Sequence, residues 1–441
     1  MATEKGTREA GTRALGTAAR CAALIAAIAL GGVPARAFAA PPDSPAPAAT
    51  DSQAPAPSSL ASPAPSAATP SPPPPSVVPV AAPAPVSPPA VNHRLVFGAA
   101  MLGDYTSFWQ NATSVKQVGV QASRAQVRSA RVTAAGDISS GVSYYASLNY
   151  NGLDLTPDEP IFGLYDLYLT FKSPIALITV GKQKQTFTYE MVGPAAFLPQ
   201  MERVLSPFAQ SRDLGVKFNN TAFNQRATWA VGWWGFDDQG RQATARVTAL
   251  PYLSQDGSSW FHLGVDYRYQ GAVGGTLRFR GKPQSDVASY FVDTGKFLAN
   301  FSNDLNYEAI VQHGPFSAYG EYTRAWVSAP ASENPEFFGY YVVGSWVLTG
   351  EHRGYAAAGG VAKQIIPLRP SGAWEFVTQY SRIDLNSGKI SGGNMGIGYV
   401  GVNWWKDRFW KFGVAYGVTG LTKSNTYGVT NRLQLRVQWV H

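Results

Sequence analysis

The chain has 441 residues, 36 Lys+Arg against 28 Asp+Glu for a net charge of +8, a single Cys, and only 15% charged residues. Soluble domains average about 25% charged residues, which argues against an ordinary cytosolic enzyme, and no apolar run approaches the roughly 18 residues of a membrane helix. Helical membrane proteins are therefore excluded, and 18 of the 32 prolines fall between Pro41 and Pro89, so the chain divides into unlike segments.

Residues 1–39 read as a secretory signal peptide. Lys5, Arg8, Arg13 and Arg20 form a positive start, Cys21–Leu30 an apolar stretch, and Ala37-Phe38-Ala39 an A-x-A cleavage site. Cleavage removes Cys21, leaving no thiol for a disulfide, a metal site or a nucleophile. Residues 40–92 are Pro, Ala and Ser with Asp43 and Asp51 as the only charges. Such a composition buries no core, and proline holds it extended at about 3.1 Å per residue. It reads as a disordered periplasmic linker, with an arm touching the cell wall as the sharper alternative. Residues 93–441 then carry 31 basic and 24 acidic residues, a net +7.

From residue 93 onward helical periodicity is nearly absent, and apolar/polar alternation recurs between Gly, Asn, Asp and Pro clusters, the mark of strands. Leu433, Leu435, Val437 and Trp439 interleave with Arg432, Gln434, Arg436 and Gln438. Phe261, Leu263, Val265, Tyr267 and Tyr269 alternate with His262, Gly264, Asp266 and Arg268, and Leu277 and Phe279 with Thr276, Arg278, Arg280 and Lys282. Trp and Tyr near strand ends suit the aromatic girdles of a transmembrane β-barrel, whose apolar series faces lipid and whose polar series faces a wet lumen. The fold class is all-β, an antiparallel transmembrane barrel at 93–441. Seventeen candidate strands can be counted: 94–105, 126–137, 142–151, 162–172, 175–183, 212–219, 226–236, 241–250, 259–269, 274–282, 303–313, 316–327, 337–348, 373–383, 394–405, 409–418 and 431–441. Single-chain bacterial barrels have even counts and short periplasmic turns. The short turns change parity between the seventh and tenth candidates, so one of those is not a strand, giving sixteen, or one is hidden, giving eighteen. Sixteen is favoured, and it makes 349–372 a long periplasmic connection with no evident physical reason.

The segment Lys184 to Ser211 is too apolar to dangle in water, with Phe187, Tyr189, Glu190, Phe197, Met201, Glu202, Arg203 and Phe208. Folded inward it would narrow the channel. If the apolar series face lipid, then Lys217, Arg246, Arg268, Arg278, Arg280, Lys282, Lys411, Arg432 and Arg436 face the lumen, against Asp213, Asp266, Glu308, Glu321 and Glu375. Lys182 and Lys184 share one strand face whose direction is ambiguous. Together with Arg203 these cations form a candidate anion pathway, since a basic ring in a narrow pore favours anions. Each taken singly is as readily a lumen solvator or an ion-pair partner. Gly396-Ile397-Gly398-Tyr399-Val400-Gly401 spells GxGxxG, but a strand and not a helix follows it, and P-loop, HExxH and GxSxG motifs are absent. No catalytic residue, cofactor or metal is expected. A barrel hydrolase using His352 beside Thr349 and Glu351 is a weak rival, and a structural tether a second one.

Several stretches resemble the phosphate-selective porin O and P family: Arg128-Ser129-Ala130-Arg131-Val132; Val180-Gly181-Lys182-Gln183-Lys184 through Met201-Glu202-Arg203 to Arg212-Asp213-Leu214-Gly215-Val216; Gly339-Tyr340-Tyr341 through Leu348-Thr349-Gly350-Glu351; Gly372-Ala373-Trp374-Glu375; and Gly398-Tyr399-Val400-Gly401-Val402-Asn403-Trp404. The resemblance covers about 94–441. It implies a sixteen-stranded trimeric outer-membrane barrel, a third loop folded inward and an anion-preferring channel. The resemblance leaves phosphate or polyphosphate as one candidate solute without securing it, because Met191 and Ala196 stand where phosphate-specific members carry lysines, which points toward a general or differently selective porin. The expected partners are small anionic or neutral solutes, outer-membrane lipid and lipopolysaccharide, two further copies in a homotrimer, and the barrel assembly machinery through the last strand, with no nucleic acid. His441 ends that strand where Phe is usual.

Overall fold

The computed structural model describes residues 95–151, 153–154, 161–236 and 240–441. The signal peptide and the linker expected at 1–39 and 40–92 lie outside the described residues. Sixteen strands close into one antiparallel barrel: β1 (Leu95–Gln110), β2 (Arg124–Ser139), β3 (Val142–Asn151, continued by Leu153–Asp154), β4 (Ile161–Lys172), β5 (Leu177–Lys184), β6 (Arg212–Ala222), β7 (Ala227–Trp234), β8 (Gln242–Leu253), β9 (Ser259–Gly271), β10 (Phe301–His313), β11 (Phe316–Ser328), β12 (Glu336–Val347), β13 (Ala373–Ser387), β14 (Ile390–Trp405), β15 (Trp410–Lys423) and β16 (Thr426–Val440). The closing pair is β1 with β16, from Ala100 opposite Val440 to Gln110 opposite Thr430.

The period-two pattern is what the wall obeys. Along β16, Arg432, Gln434, Arg436 and Gln438 are buried inward while Leu433, Leu435, Val437 and Trp439 face out. Both ends of the barrel sequence lie at one end together with most of the short turns, while the long 111–123, 185–211 and 272–300 connections lie at the other, so the first is the periplasmic end. There Phe316 stacks on Trp346, Trp374 on Trp404, and Trp404 on Phe412, forming an outward girdle. His441 joins it, stacked on Phe409 at 5.2 Å and on Trp439 at 6.0 Å. Its imidazole thus takes an aromatic place in the girdle.

The odd candidate is 274–282. It is no wall strand but part of the 272–300 connection at the extracellular end, where only two-residue strands form, Thr276–Leu277, Arg280–Gly281, Val292–Asp293 and Phe297–Leu298. Its alternation is real, but the apolar series packs inside the barrel. Phe279 lies 5.2 Å from Phe337 and 6.1 Å from Phe208. Period two reports a two-sided environment, and the apolar side here is a protein core, not lipid.

The upper strands are also longer than the sequence pattern suggests. β13–β14 and β15–β16 run past the lipid zone into two-residue turns at 388–389 and 424–425, with Gly388, Ser424 and Asn425 at φ 53°, 49° and 59°, as tight hairpins require. The 348–372 connection does lie at the periplasmic end. It holds a hairpin of Arg353–Ala356 with Val361–Ile365, and its reason is given below.

The lumen is not uniformly polar. Inward residues of β9 to β15, among them Trp260, Ile310, Phe337, Val343, Val377, Ile383 and Met395, form one apolar core with Phe187, Leu198, Leu205, Phe208, Phe291 and Val361 from the three long connections. Inward residues of β1 to β7 are mostly polar, including Asp104, Thr106, Ser147, Asn149, Asp166, Thr179, Lys217 and Asn219.

Candidate functional site

The 185–211 connection folds into the lumen and is fastened there from many strands. Its neck closes between Gln185 N and Ser211 O. Thr188 sits at φ 63°, a costly place for a β-branched residue. That backbone is held because Thr188 N donates to Asp266 Oδ2 at 2.9 Å. A single helical turn, Tyr189–Val192, follows. Its first two amides donate to Glu321, Tyr189 N to Oε2 at 2.7 Å and Glu190 N to Oε1 at 3.1 Å. Glu321 also accepts from Tyr341 Oη at 2.7 Å and Asn306 Nδ2 at 2.9 Å. All four partners are donors, so the group is matched as a carboxylate.

The descending half of the loop is gripped by its carbonyls. Gln438 Nε2 donates to Ala196 O at 3.0 Å, Arg353 Nη1 to Phe197 O at 2.6 Å, Lys411 Nζ to Leu198 O at 2.9 Å and Asn403 Nδ2 to Pro199 O at 2.8 Å. Arg436 donates to Met201 O, and Gln284 Nε2 to Glu202 O at 3.1 Å. Glu202 pairs with Arg128 at 3.0 Å and Arg436 at 2.5 Å, and Arg436 is bidentate to Asp104. Burial raises the Glu202 carboxyl, but these two guanidinium groups bring it down to about 2. Glu190 differs. Burial pushes its carboxyl up to about 7 against the amides of Val204 and Leu205, which it accepts.

The periplasmic hairpin meets this loop from below, which accounts for its length. Arg353 pairs with Glu375 at 2.6 Å. Tyr189 Oη accepts from Ala362 N at 3.2 Å, Trp260 Nε1 donates to Arg353 O at 2.9 Å, and Tyr355 Oη lies 2.7 Å from His262 Nδ1. Arg246 is bidentate to Glu308 and donates to the carbonyls of Gly359 and Gly360 at 3.1 Å.

The basic residues singled out in the sequence therefore divide by what they touch. Arg246, Lys411 and Arg436 are buried anchors of the inward connections, and Arg268 pairs with Asp304 with its guanidinium over the Phe187 ring. Lys217 and Arg432 are buried and inward, Arg432 beside Gly417. Lys182 is corrected to the outer face. It pairs with Leu167 and Leu214, both exposed outward, and antiparallel partners share a face. Arg278, Arg280 and Lys282 lie on the 272–300 connection, Arg278 paired with Asp293, Arg280 over Tyr290 at 4.1 Å, and Lys282 near Asp286. Met191 is buried, and Ala196 offers only its backbone to Gln438. Thr349 Oγ1 donates to Glu351 and accepts from Trp374 N at 3.1 Å.

A basic cluster remains at the side of the loop facing β2 to β6. Arg131 and Arg212 place Cζ at 4.4 and 3.6 Å from the Tyr165 ring centre. Lys184 Nζ donates to Val192 O and Gly193 O at 3.0 and 2.9 Å, and Arg203 to Glu190 O and Gly193 O at 2.5 and 3.4 Å. Arg212 pairs with Asp166 at 2.8 Å. Arg131, Lys184 and Arg203 are bonded to neutral oxygens and have no ion pair among the described residues. Arg128 links this cluster to the 272–300 connection, lying 3.8 Å from Asp286. Arg128, Arg131, Arg212 and Tyr165 are not among the sequence candidates for the pathway. Arg131 follows the inward series of Ser129 and Thr133, a signal that was available, whereas Arg128 is turned inward by a register shift between β1 and β2 at Leu102/Gly103.

Residues 100–441 match the family described as phosphate-selective porin O and P. The chain belongs to this family. It is a porin of the Gram-negative outer membrane. An uncharacterized protein of Caulobacter vibrioides is 23% identical over 321 residues, 67% of this chain and 62% of that relative, so the match spans under two thirds of its length. Among solved structures, an anion-selective porin from Comamonas acidovorans has a TM-score of 0.51 at 10% identity, covering 79% of this porin and 100% of that chain. The trimer form of Vibrio cholerae OmpT gives 0.50 at 11% identity, covering 79% and 99%. Both share the barrel fold.

Proposed function

We propose that this porin is a passive channel for small anions, constricted by the 185–211 loop, with the passage running along the polar wall of β1 to β6. The observation that carries this reading is the Arg131, Lys184, Arg203 and Arg212 cluster, in which only Arg212 is ion-paired, to Asp166. In a narrow passage between low-dielectric walls such an excess lowers the barrier for anions and raises it for cations. Arg278, Arg280 and Lys282 extend the positive row toward the outside. The description of the Comamonas relative as anion-selective agrees in sign.

The solute class is broader than phosphate, because Met191 and Ala196 add no cation at the loop. We also infer a homotrimer, as the trimeric Vibrio structure suggests, and a channel without catalysis, as membership of a porin family suggests. The deciding experiment is the reversal potential in planar bilayers under a salt gradient. Anion selectivity that falls in the triple variant R131Q/R203Q/R212Q is expected. An unchanged potential in that variant removes the cluster from the pathway.

A further inference from the structure

Arg432 on β16 is unlike the other buried guanidinium groups of the lumen. It is 1% exposed, yet its Nε, Nη1 and Nη2 have no hydrogen-bond partner among the described residues. The wall makes room for it. Gly417, its partner on β15, has none of the left-handed backbone that would call for glycine, but a Cβ there would lie 2.9 Å from Nη2 and 3.2 Å from Cζ. The missing side chain is the space in which the guanidinium lies. The lumen side is closed as well. Ser285 Oγ donates to Thr106 Oγ1 on β1 at 3.3 Å, and Gln284 exchanges bonds with Gln379 on β13 at 3.2 and 2.9 Å. Gln379 pairs with Tyr399, Tyr399 with Gly417 and Gly417 with Arg432, so residues 284–285 cross from β1 to β13 in front of Arg432.

Charge is out of balance in this enclosure. Asp104 is taken by Arg436, and Glu202 by Arg128 and Arg436. Three guanidinium groups thus meet two buried carboxylates, and the one left over is Arg432. Asp286, 3.8 Å from Arg128, is 40% exposed and belongs to the solvent side, while Arg124, opposite Thr106 on β2, adds to the basic excess. A buried charge without a counter-charge is costly, and water supplies none. The donors that face the enclosure suit an anion. Arg432 offers five N–H groups, and Thr106, which accepts from Ser285, keeps its own hydrogen to give. A tetrahedral oxyanion would leave oxygens unmet between two donor groups, whereas a halide accepts from any direction.

We propose that Arg432 and Thr106 hold one halide ion as a fixed part of the structure, enclosed between β14 to β16 and residues 284–285. The ion balances the extra guanidinium and fastens the 272–300 connection to the strands that close the barrel. Because Gln284 Nε2 also donates to Glu202 O, the inward loop is fastened with it. The site is separate from the cluster beside Tyr165 and does not conduct. Bromide is the probe, since it scatters anomalously. Crystals of the purified porin grown in sodium bromide should show an anomalous peak beside the Arg432 guanidinium, and no peak there overturns the proposal. In solution, the temperature of the heat-modifiable mobility shift should rise as chloride replaces gluconate at constant ionic strength, along a single-site curve. The rise should persist in R131Q/R203Q/R212Q and vanish in R432M. An equal rise in R432M marks a general salt effect, and its loss in the triple variant assigns it to the anion pathway; either result overturns the proposal. If R432M does not fold, Gly417→Ala keeps the charge but displaces the guanidinium, and it should need at least tenfold more chloride for half the rise. An unchanged requirement overturns the proposal.

Discussion

Glu321 is the point at which the inward loop can be released most cleanly. In Glu321→Gln the shape is kept, but one carboxylate oxygen becomes an NH2 group. Oε2 serves Tyr189 N and Asn306 Nδ2, and Oε1 serves Glu190 N and Tyr341 Oη. The NH2 group is best placed at Oε1, where the Tyr341 hydroxyl can turn and accept from it, so one buried donor, the Glu190 amide, is left facing a donor. An unmet buried donor costs about 1–3 kcal/mol, so the docked loop should lose about that much. At about 1.4 kcal/mol per tenfold, its undocked population rises by about 5-fold to about 140-fold. In single-channel records the variant should show larger and noisier conductance with weaker ion selectivity, while heat-modifiable mobility shows an intact barrel. Records identical to the parent, with the same protease resistance of the loop, would refute the view that Glu321 holds it.

Replacing residues 353–365 with a short Gly-Ser link should raise conductance, because the hairpin fills the lumen beneath the loop; an unchanged conductance would show that solutes already bypass it. Raising the pH from 5 to 8 should increase channel noise, since the raised Glu190 carboxyl stabilises the loop while protonated, fully below about 4.5, and that stability is lost as pH passes about 7; E190Q should flatten the profile, and a parent with no pH response would contradict it. His441→Phe should assemble as well as the parent, whereas His441→Asp, which puts a charge between Phe409 and Trp439, should slow recovery of the folded barrel in a membrane-insertion assay.

What could be read from the sequence follows from what alternation reports. The last strand is legible because lipid and lumen differ along its whole length, and turn parity led to sixteen strands and to a periplasmic 348–372 connection. The 274–282 segment misleads because Leu277, Phe279 and Gly281 turn to an inner core whose polarity mimics lipid. The grip on the loop was not legible, for a different reason. Its acceptors are the carbonyls of Ala196, Phe197, Leu198, Pro199 and Met201, and a carbonyl carries no residue identity. Lys411 and Arg436 can be assigned inward from the pattern, but nothing in the pattern separates a cation bound to backbone oxygen from one facing solute. That separation comes from the fold, which gathers Arg131, Lys184 and Arg203, none of them in an ion pair among the described residues, at one side of the loop.

The reversal potential of the purified porin in planar bilayers, measured under a potassium chloride gradient at low salt, tests the central claim most directly. Its sign should show chloride more permeant than potassium, and the preference should shrink as salt screens the cluster. A potential of the opposite sign, with potassium the more permeant ion, would contradict the account.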